Sequence, residues 1–137
     1  MPSPDRVAVL ASDDSCPRLP LVVGSGEAFA VVWPGVGANM RSMHRIVLRH
    51  GASTVPLRHA GEAVYYVLAG AGTVTDRDAG TSTPLVEGSM IHIDPETTYV
   101  CEASSGGMEL VGGPCPAEPE FYRGIGLDPE PEARPEP

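Results

Sequence analysis

The sequence predicts an all-β fold, a sandwich or barrel of short antiparallel strands. Three observations carry that reading. Short runs rich in β-branched and aromatic residues recur at regular spacing with turn residues between them. Glycine (16) and proline (15) punctuate the 137 residues throughout and leave no room for a long helix. The segment MHRIVLRH (43–50) alternates: His44, Ile46, Leu48 and His50 share one face, Met43, Arg45, Val47 and Arg49 the other. A chain of this length makes one domain with a real core.

In order along the chain, residues 1–19 read as an arm, in which Arg6 to Ala11 offers a short strand before SDDSCPRLP breaks it. The barrel is expected over 20–112. Leu21 to Val23 and Phe29 to Trp33 are strands, the second closed by the Pro34-Gly35 turn. Trp33, the single tryptophan, suits the core or the barrel mouth. The Met43–His50 strand directs His44 and His50 toward the interior or its rim, because the arginines mark the other face as the wetter one. Gly51 to Ser53 turns. Val55 to His59 is extended with Leu57 and His59 on one face, and Ala60-Gly61 bends before Glu62.

Val64 to Leu68 is the strongest strand. Gly70-Ala71-Gly72 reads as a tight turn that returns Thr73 to Asp76 as a hairpin partner. Thr81 to Val86 and Ser89 to Ile93 follow, the latter with Met90 and His92 opposite Ile91 and Ile93. Thr98 to Ala103 carries Tyr99, Cys101 and Ala103 on one face. After a turn at Ser104 to Gly107, Met108 to Val111 is the last strand. From Gly112 the alternation stops. Residues 113–127 are expected to extend along the barrel, with Phe121 and Tyr122 packing back on it. Residues 128–137, rich in proline and glutamate, are expected to be disordered.

The formal net charge of −9, from nine Lys+Arg against eighteen Asp+Glu, argues against a nucleic-acid partner, which needs clustered cations, and against an anionic membrane surface. Three cysteines at wide spacing, Cys16, Cys101 and Cys115, make neither a disulfide framework nor a C-x-x-C metal knuckle. The N-terminus lacks a basic segment followed by a long apolar run, so no signal peptide is expected, and no apolar run is long enough to span a bilayer. A reducing cytoplasm is the expected compartment. Phosphate-loop, dinucleotide and nucleophile-elbow motifs are absent.

The order of pieces from Gly51 to Gly72 and from Gly88 to Tyr99 resembles the cupin superfamily, small β-barrels of jelly-roll type. Gly51 fits the opening glycine of that family's first motif. Leu57 stands where the first motif histidine is expected and His59 fits the second. VYYVLAGAG matches the following strand and glycine pattern. Ala63 falls on the carboxylate position, with Glu62 one residue early. In the second motif Gly88 fits the start, Asp94-Pro95 lies one residue from the proline, and Tyr99 falls where the third histidine would be.

The resemblance implies a cupin-type jelly-roll barrel, a small-molecule substrate and a homodimer paired through edge strands. Family members that bind metal hold iron, manganese, zinc, nickel or copper with three histidines and a glutamate. Carried over here, only His59 remains as a motif ligand. Glu62 and Tyr99 are possible additions, and His50, His92 or a Cys101 thiolate could complete a rescue set. Whether a divalent metal such as Fe, Zn, Mn or Ni is bound stays open.

Without a metal, a histidine, a carboxylate and a phenol suffice for proton transfer beside a carbonyl. His59 has the intrinsic pKa of a general acid or base, Glu62 could orient it, and Tyr99 could stabilise an oxyanion. His59 and Glu62 could equally do no more than satisfy each other at the barrel rim. Trp33, His50, Leu57, Tyr66, His92 and Cys101 are the candidate substrate-binding residues around this centre. Three functions stay open. The first is an isomerase, cyclase or dehydratase of secondary metabolism, similar to the cupins that tailor polyketides. The others are a metal-dependent oxygenase and a non-catalytic ligand-binding barrel.

Overall fold

A computed structural model describes residues 7–123. The expected disordered tail at 128–137, with Arg6 at the start of the expected arm strand, lies outside the described residues. Among the described residues nine strands form one antiparallel sheet: β1 (Arg18–Leu19), β2 (Val22–Val23), β3 (Gly26–Val32), β4 (Met43–Leu48), β5 (Ser53–Thr54), β6 (Glu62–Asp76), β7 (Thr81–Val86), β8 (Met90–Ile93) and β9 (Tyr99–Cys115). A 3-10 turn (Pro34–Val36) and a five-residue helix, α1 (Pro119–Arg123), are the helical elements among the described residues. The all-β fold read from the sequence is the observed one.

The long strand β6 is the spine. One of its edges carries β9 along nearly its whole length; the other carries β7 and β8 end to end. Beyond β9 lie β4 and β5, then β3 on β4, β1 on β3 and β2 on β5. The sheet curls into a half-barrel because alternate residues of every long strand are apolar and must leave water. In β6, Ala63, Tyr65 and Val67 are buried while Val64, Tyr66 and Leu68 are exposed. Ile46, Leu48, Met108 and Leu110 continue the same inner face on β4 and β9. Burying a side chain such as Leu110 contributes about 2 kcal/mol.

The structure departs from the sequence reading at several places. Gly70-Ala71-Gly72 is no turn, and β6 runs straight through it. Gly70 has φ +82°, and a Cβ there would collide with the carbonyl of Gly107; one at Gly72 would collide with the carbonyl of Glu102. The glycines therefore let β6 bend and slip register against β9, as bulges do. Residues 77–80, where the sequence from Asp76 to Gly80 also reads as a turn, make the hairpin between β6 and β7. Likewise β9 runs from Tyr99 to Cys115 through the expected turn at 104–107 and past Gly112. Residues 7–12 form no strand, and Val7 and Val9 stand exposed. β4 stops at Leu48, so His50 leaves the alternation, takes φ +49° in the following turn and points to solvent.

Candidate active site

The segment before β6 approaches the first residue of β9. Leu57 and Tyr99 exchange backbone hydrogen bonds of 2.9 Å in both directions. Alternation about that bridge turns Arg58 outward to Glu96 (2.8 Å) and His59 inward, where it is 4% exposed. Tyr99 faces inward on β9 and Tyr65 does so on β6. Their hydroxyls meet at 2.6 Å, and the Tyr99 hydroxyl lies 2.8 Å from His59 Nε2.

The carboxylate that completes this row comes from the far end of the chain. Beyond β9 the chain folds back over the open end of the barrel, with Ala117 and Tyr122 buried. Glu118 Oε1 lies 3.1 Å from His59 Nδ1, and the Ala60 N–H donates to Oε2 at 2.7 Å. A carboxylate only accepts, so the His59 Nδ1–H donates a hydrogen bond to Glu118 Oε1. In the tautomer with hydrogen on Nδ1 alone, Nε2 accepts from the Tyr99 O–H, and Tyr99 accepts from the Tyr65 O–H. Burial pushes both phenols well above their ordinary range, Tyr99 further through the neighbouring Tyr65. Both phenols are therefore neutral hydrogen-bond donors at neutral pH.

A second imidazole shares the interior. His44, on β4, is buried and lies 2.6 Å through Nε2 from the Tyr122 hydroxyl. Phe121 stacks on His44 at 5.8 Å between centroids and meets His59 edge-on at 6.1 Å, so one residue of α1 bridges the two histidines. Trp33 packs on Tyr122 at 5.0 Å. Burial, with a smaller contribution from His59, lowers the His44 pKa to about 4. His44 is accordingly a neutral core group.

A cavity of about 260 Å³ opens beside Tyr99. Val74, Ile91 and Ile93 line one part of it and Asp76, Thr81 and Thr83 another; His92, Asp94 and Thr97 stand at its mouth. Asp76 is the cross-strand neighbour of both Tyr99 and Thr81. A hydroxyl, a carboxylate and a phenol therefore sit in one row across three strands.

The expected site residues separate into two groups. His59 and Tyr99 come together, and Leu57 lies buried beneath them. Glu62 does not join them. Ala63 takes the inward position on β6, so Glu62 faces out at 58% side-chain exposure and lies 3.4 Å from His92 instead. The partner expected of it is Glu118. His92 is outward on β8 at 55% side-chain exposure and reaches only the cavity rim. Tyr66 is outward and half-exposed; its neighbour Tyr65 is the inward phenol. His50 is exposed in a turn, and Trp33 packs in the core and does not line the cavity. Cys101 is buried with its thiol pushed up to about 12 by burial, so it offers no thiolate near neutral pH.

These placements bear on the metal. Leu57 and Ala63 cannot coordinate, the Tyr99 phenol is neutral, and both nitrogens of His59 already have partners. Among the described residues no three His, Cys, Asp or Glu side chains converge. A catalytic transition metal ordinarily needs three protein ligands. The donor set here does not fit one. Glu118 and Tyr65 are the residues sequence reasoning missed as members of the site; His44 points inward as its alternation predicts and is a core group. Ala63 at an inward motif position already implied that Tyr65, two residues on, points inward too.

Comparison with known proteins follows the same lines. The cupin domain family matches residues 44–110. No curated protein matches the chain. Among solved structures, a predicted oxalate decarboxylase from Thermotoga maritima is similar at 22% identity and TM-score 0.66, covering 79% of this chain and 98% of that one. A polyketide cyclase from Streptomyces resistomycificus is similar at 20% identity and TM-score 0.64, covering 80% of each chain. The ectoine synthase from P. lautus follows at 14% and 0.59, covering 75% and 70%. At such identities the likeness is one of fold. With the sequence match over the central strands and the barrel they build, this chain belongs to the cupin superfamily.

Proposed function

We propose that this chain is an enzyme of small-molecule metabolism that moves a proton at a carbonyl-bearing substrate, of isomerase, cyclase or dehydratase type. The observation that carries the reading is the 2.8 Å contact between His59 and a neutral Tyr99 that borders a cavity. In this step the Tyr99 O–H donates to the carbonyl oxygen and protonates it as negative charge develops, while solvent in the cavity takes the proton that leaves the neighbouring carbon. His59 stands behind it to replace that proton, and Glu118 stabilises the imidazolium each time it forms. Protonation of His59 at Nε2 reverses the chain: Nε2–H then donates to the Tyr99 oxygen and frees the Tyr99 hydrogen for the substrate. Fold neighbours named as a polyketide cyclase and an ectoine synthase support a reaction of this kind on this barrel.

Hydrogen–deuterium exchange at the carbon beside the carbonyl, followed by NMR over a panel of enolisable ketones and aldehydes, tests it. His59→Ala and Tyr99→Phe are each expected to slow exchange by roughly a hundredfold. Equal rates in both variants and the parent would end this reading. The rival is a barrel that holds a ligand without turning it over. It is favoured by the fact that His59, Tyr99 and Tyr65 are already bonded to one another. It predicts no exchange with any panel member and unchanged ligand affinity in both variants.

We further place the protein in the cytoplasm, in keeping with its three free thiols, and as a homodimer. Among the described residues no helix is long and apolar enough to cross a membrane. Val64, Tyr66, Leu68 and Met90 stand exposed on the outer face of β6 and β8, Met90 at 79%, and Tyr66 pairs directly with Met90. A contiguous outer apolar patch is the kind of surface that associates. Met90→Asp is expected to weaken self-association by roughly a hundredfold in analytical ultracentrifugation, since it would place a charge in the centre of a dry contact. A parent chain that sediments as a monomer at high concentration would remove the dimer.

A further inference from the structure

The cavity beside Tyr99 has a chemistry more specific than a greasy pocket. Thr81, Asp76 and Tyr99 are successive cross-strand neighbours on β7, β6 and β9, so their side chains stand in one row on the inner face. Asp76 uses Oδ1 to accept from the Asp78 and Ala79 N–H groups of the following turn, at 3.0 and 2.9 Å. That contact fixes the carboxylate. Its second oxygen and the hydroxyls of Thr81 and Thr83 make no hydrogen bond among the described residues, although all three residues line the cavity. Among the described residues no lysine or arginine lines it.

With His59 protonated at Nε2, which releases the Tyr99 hydrogen, the row presents a phenol donor, then a carboxylate acceptor, then a hydroxyl. An anionic ligand would face Asp76 and Asp94 with no cation to offset them. A plain ketone would leave the free Asp76 oxygen without a partner and cost binding accordingly.

We propose that this cavity binds a small carbonyl compound that carries a hydrogen-bond donor on the neighbouring carbon and no negative charge. Tyr99, its hydrogen released by Nε2-protonated His59, donates to the carbonyl oxygen, Asp76 accepts from the adjacent hydroxyl or ammonium, and Thr81 and Thr83 serve further hydroxyls. Val74, Ile91 and Ile93 cover the carbon skeleton. This substrate class rests on the proton-transfer reading for its use, but the binding itself requires no turnover.

Methyl NMR of Ile91 and Ile93 in the full chain tests it, with erythrulose, aminoacetone, butanone and pyruvate as probes. Erythrulose or aminoacetone is expected to shift both methyl signals with a Kd of about 1 mM, as suits so small a ligand. The better of the two assigns the donor as hydroxyl or ammonium. Butanone and pyruvate are expected to bind at least tenfold more weakly. Asp76→Asn keeps the Oδ1 acceptor of the turn and is expected to weaken the binding about tenfold; Thr83→Val, which keeps the shape, is expected to weaken erythrulose by a smaller factor.

Pyruvate binding as tightly as erythrulose would overturn the proposal. So would an Asp76→Asn chain with unchanged affinity, or no shift with either donor-bearing probe. If the probes bind as expected and His59→Ala leaves proton exchange untouched, the catalytic reading fails and the ligand class stands.

Discussion

Tyr122→Ala is expected to lower the unfolding free energy by about 3 to 5 kcal/mol, the range for truncating a fully buried aromatic residue. Tyr122 is 0% exposed, packs on Trp33 and bonds His44 at 2.6 Å. Its removal leaves a void under α1 and an unsatisfied imidazole nitrogen. Tyr122→Phe keeps the packing and loses only the hydroxyl, and is expected to cost about 1 to 3 kcal/mol, the price of a buried polar group without its partner. Urea unfolding followed by tryptophan fluorescence reads both, since Trp33 is the only tryptophan and touches the ring in question. The same segment carries Glu118, so the larger variant is also expected to loosen the contact between Glu118 and His59 and slow any proton exchange. A Tyr122→Ala chain as stable as the parent would mean that the segment after β9 does not close the barrel.

Acidification is expected to remove about 3 kcal/mol of stability through His44 alone. Its folded pKa is about 4, against an ordinary value of 6.5, because burial excludes the charged form. Above about pH 6.5 both states are neutral at this site and the full stability is present. As pH falls from there toward 4, the unfolded chain takes up a proton that the folded chain refuses, and stability drops by about 1.4 kcal/mol per pH unit. Below about pH 4 the folded state protonates as well and the loss levels off. Urea unfolding at pH 7 and pH 4.5 measures it. In His44→Gln the drop between the two pH values should be smaller by most of that amount. The carboxylates that titrate in the same range are common to both chains and cancel. Equal drops in the two chains would show that His44 takes up its proton without unfolding cost.

The site was partly legible before any coordinates. His59 and Tyr99 stand at inward positions of alternating segments, and inward or outward is a local property of a strand. Reading the alternation one residue further would have chosen Tyr65 over Tyr66, because Ala63 already occupied the inner face. Glu62 misled for the opposite reason: three residues from His59 in sequence, it begins a strand whose register sends it outward. Its replacement, Glu118, is 59 residues away and lies in a stretch without periodicity. No local pattern marks a residue whose role is set by where the chain end returns. The glycines between 70 and 72 misled similarly, since close approach of a distant strand and a tight turn ask for the same residue.

By itself the sequence determined the all-β class, the cupin barrel and the inward placement of one imidazole and one phenol, His59 and Tyr99, because these follow from a two-residue period and short motifs. Only the tertiary structure decided that β6 and β9 run unbroken through their glycines, that Glu118 and not Glu62 holds His59, and that Asp76 stands beside Tyr99. Those three are long-range closures. They depend on which strands meet and in what register, and that is settled by burying the whole inner face at once.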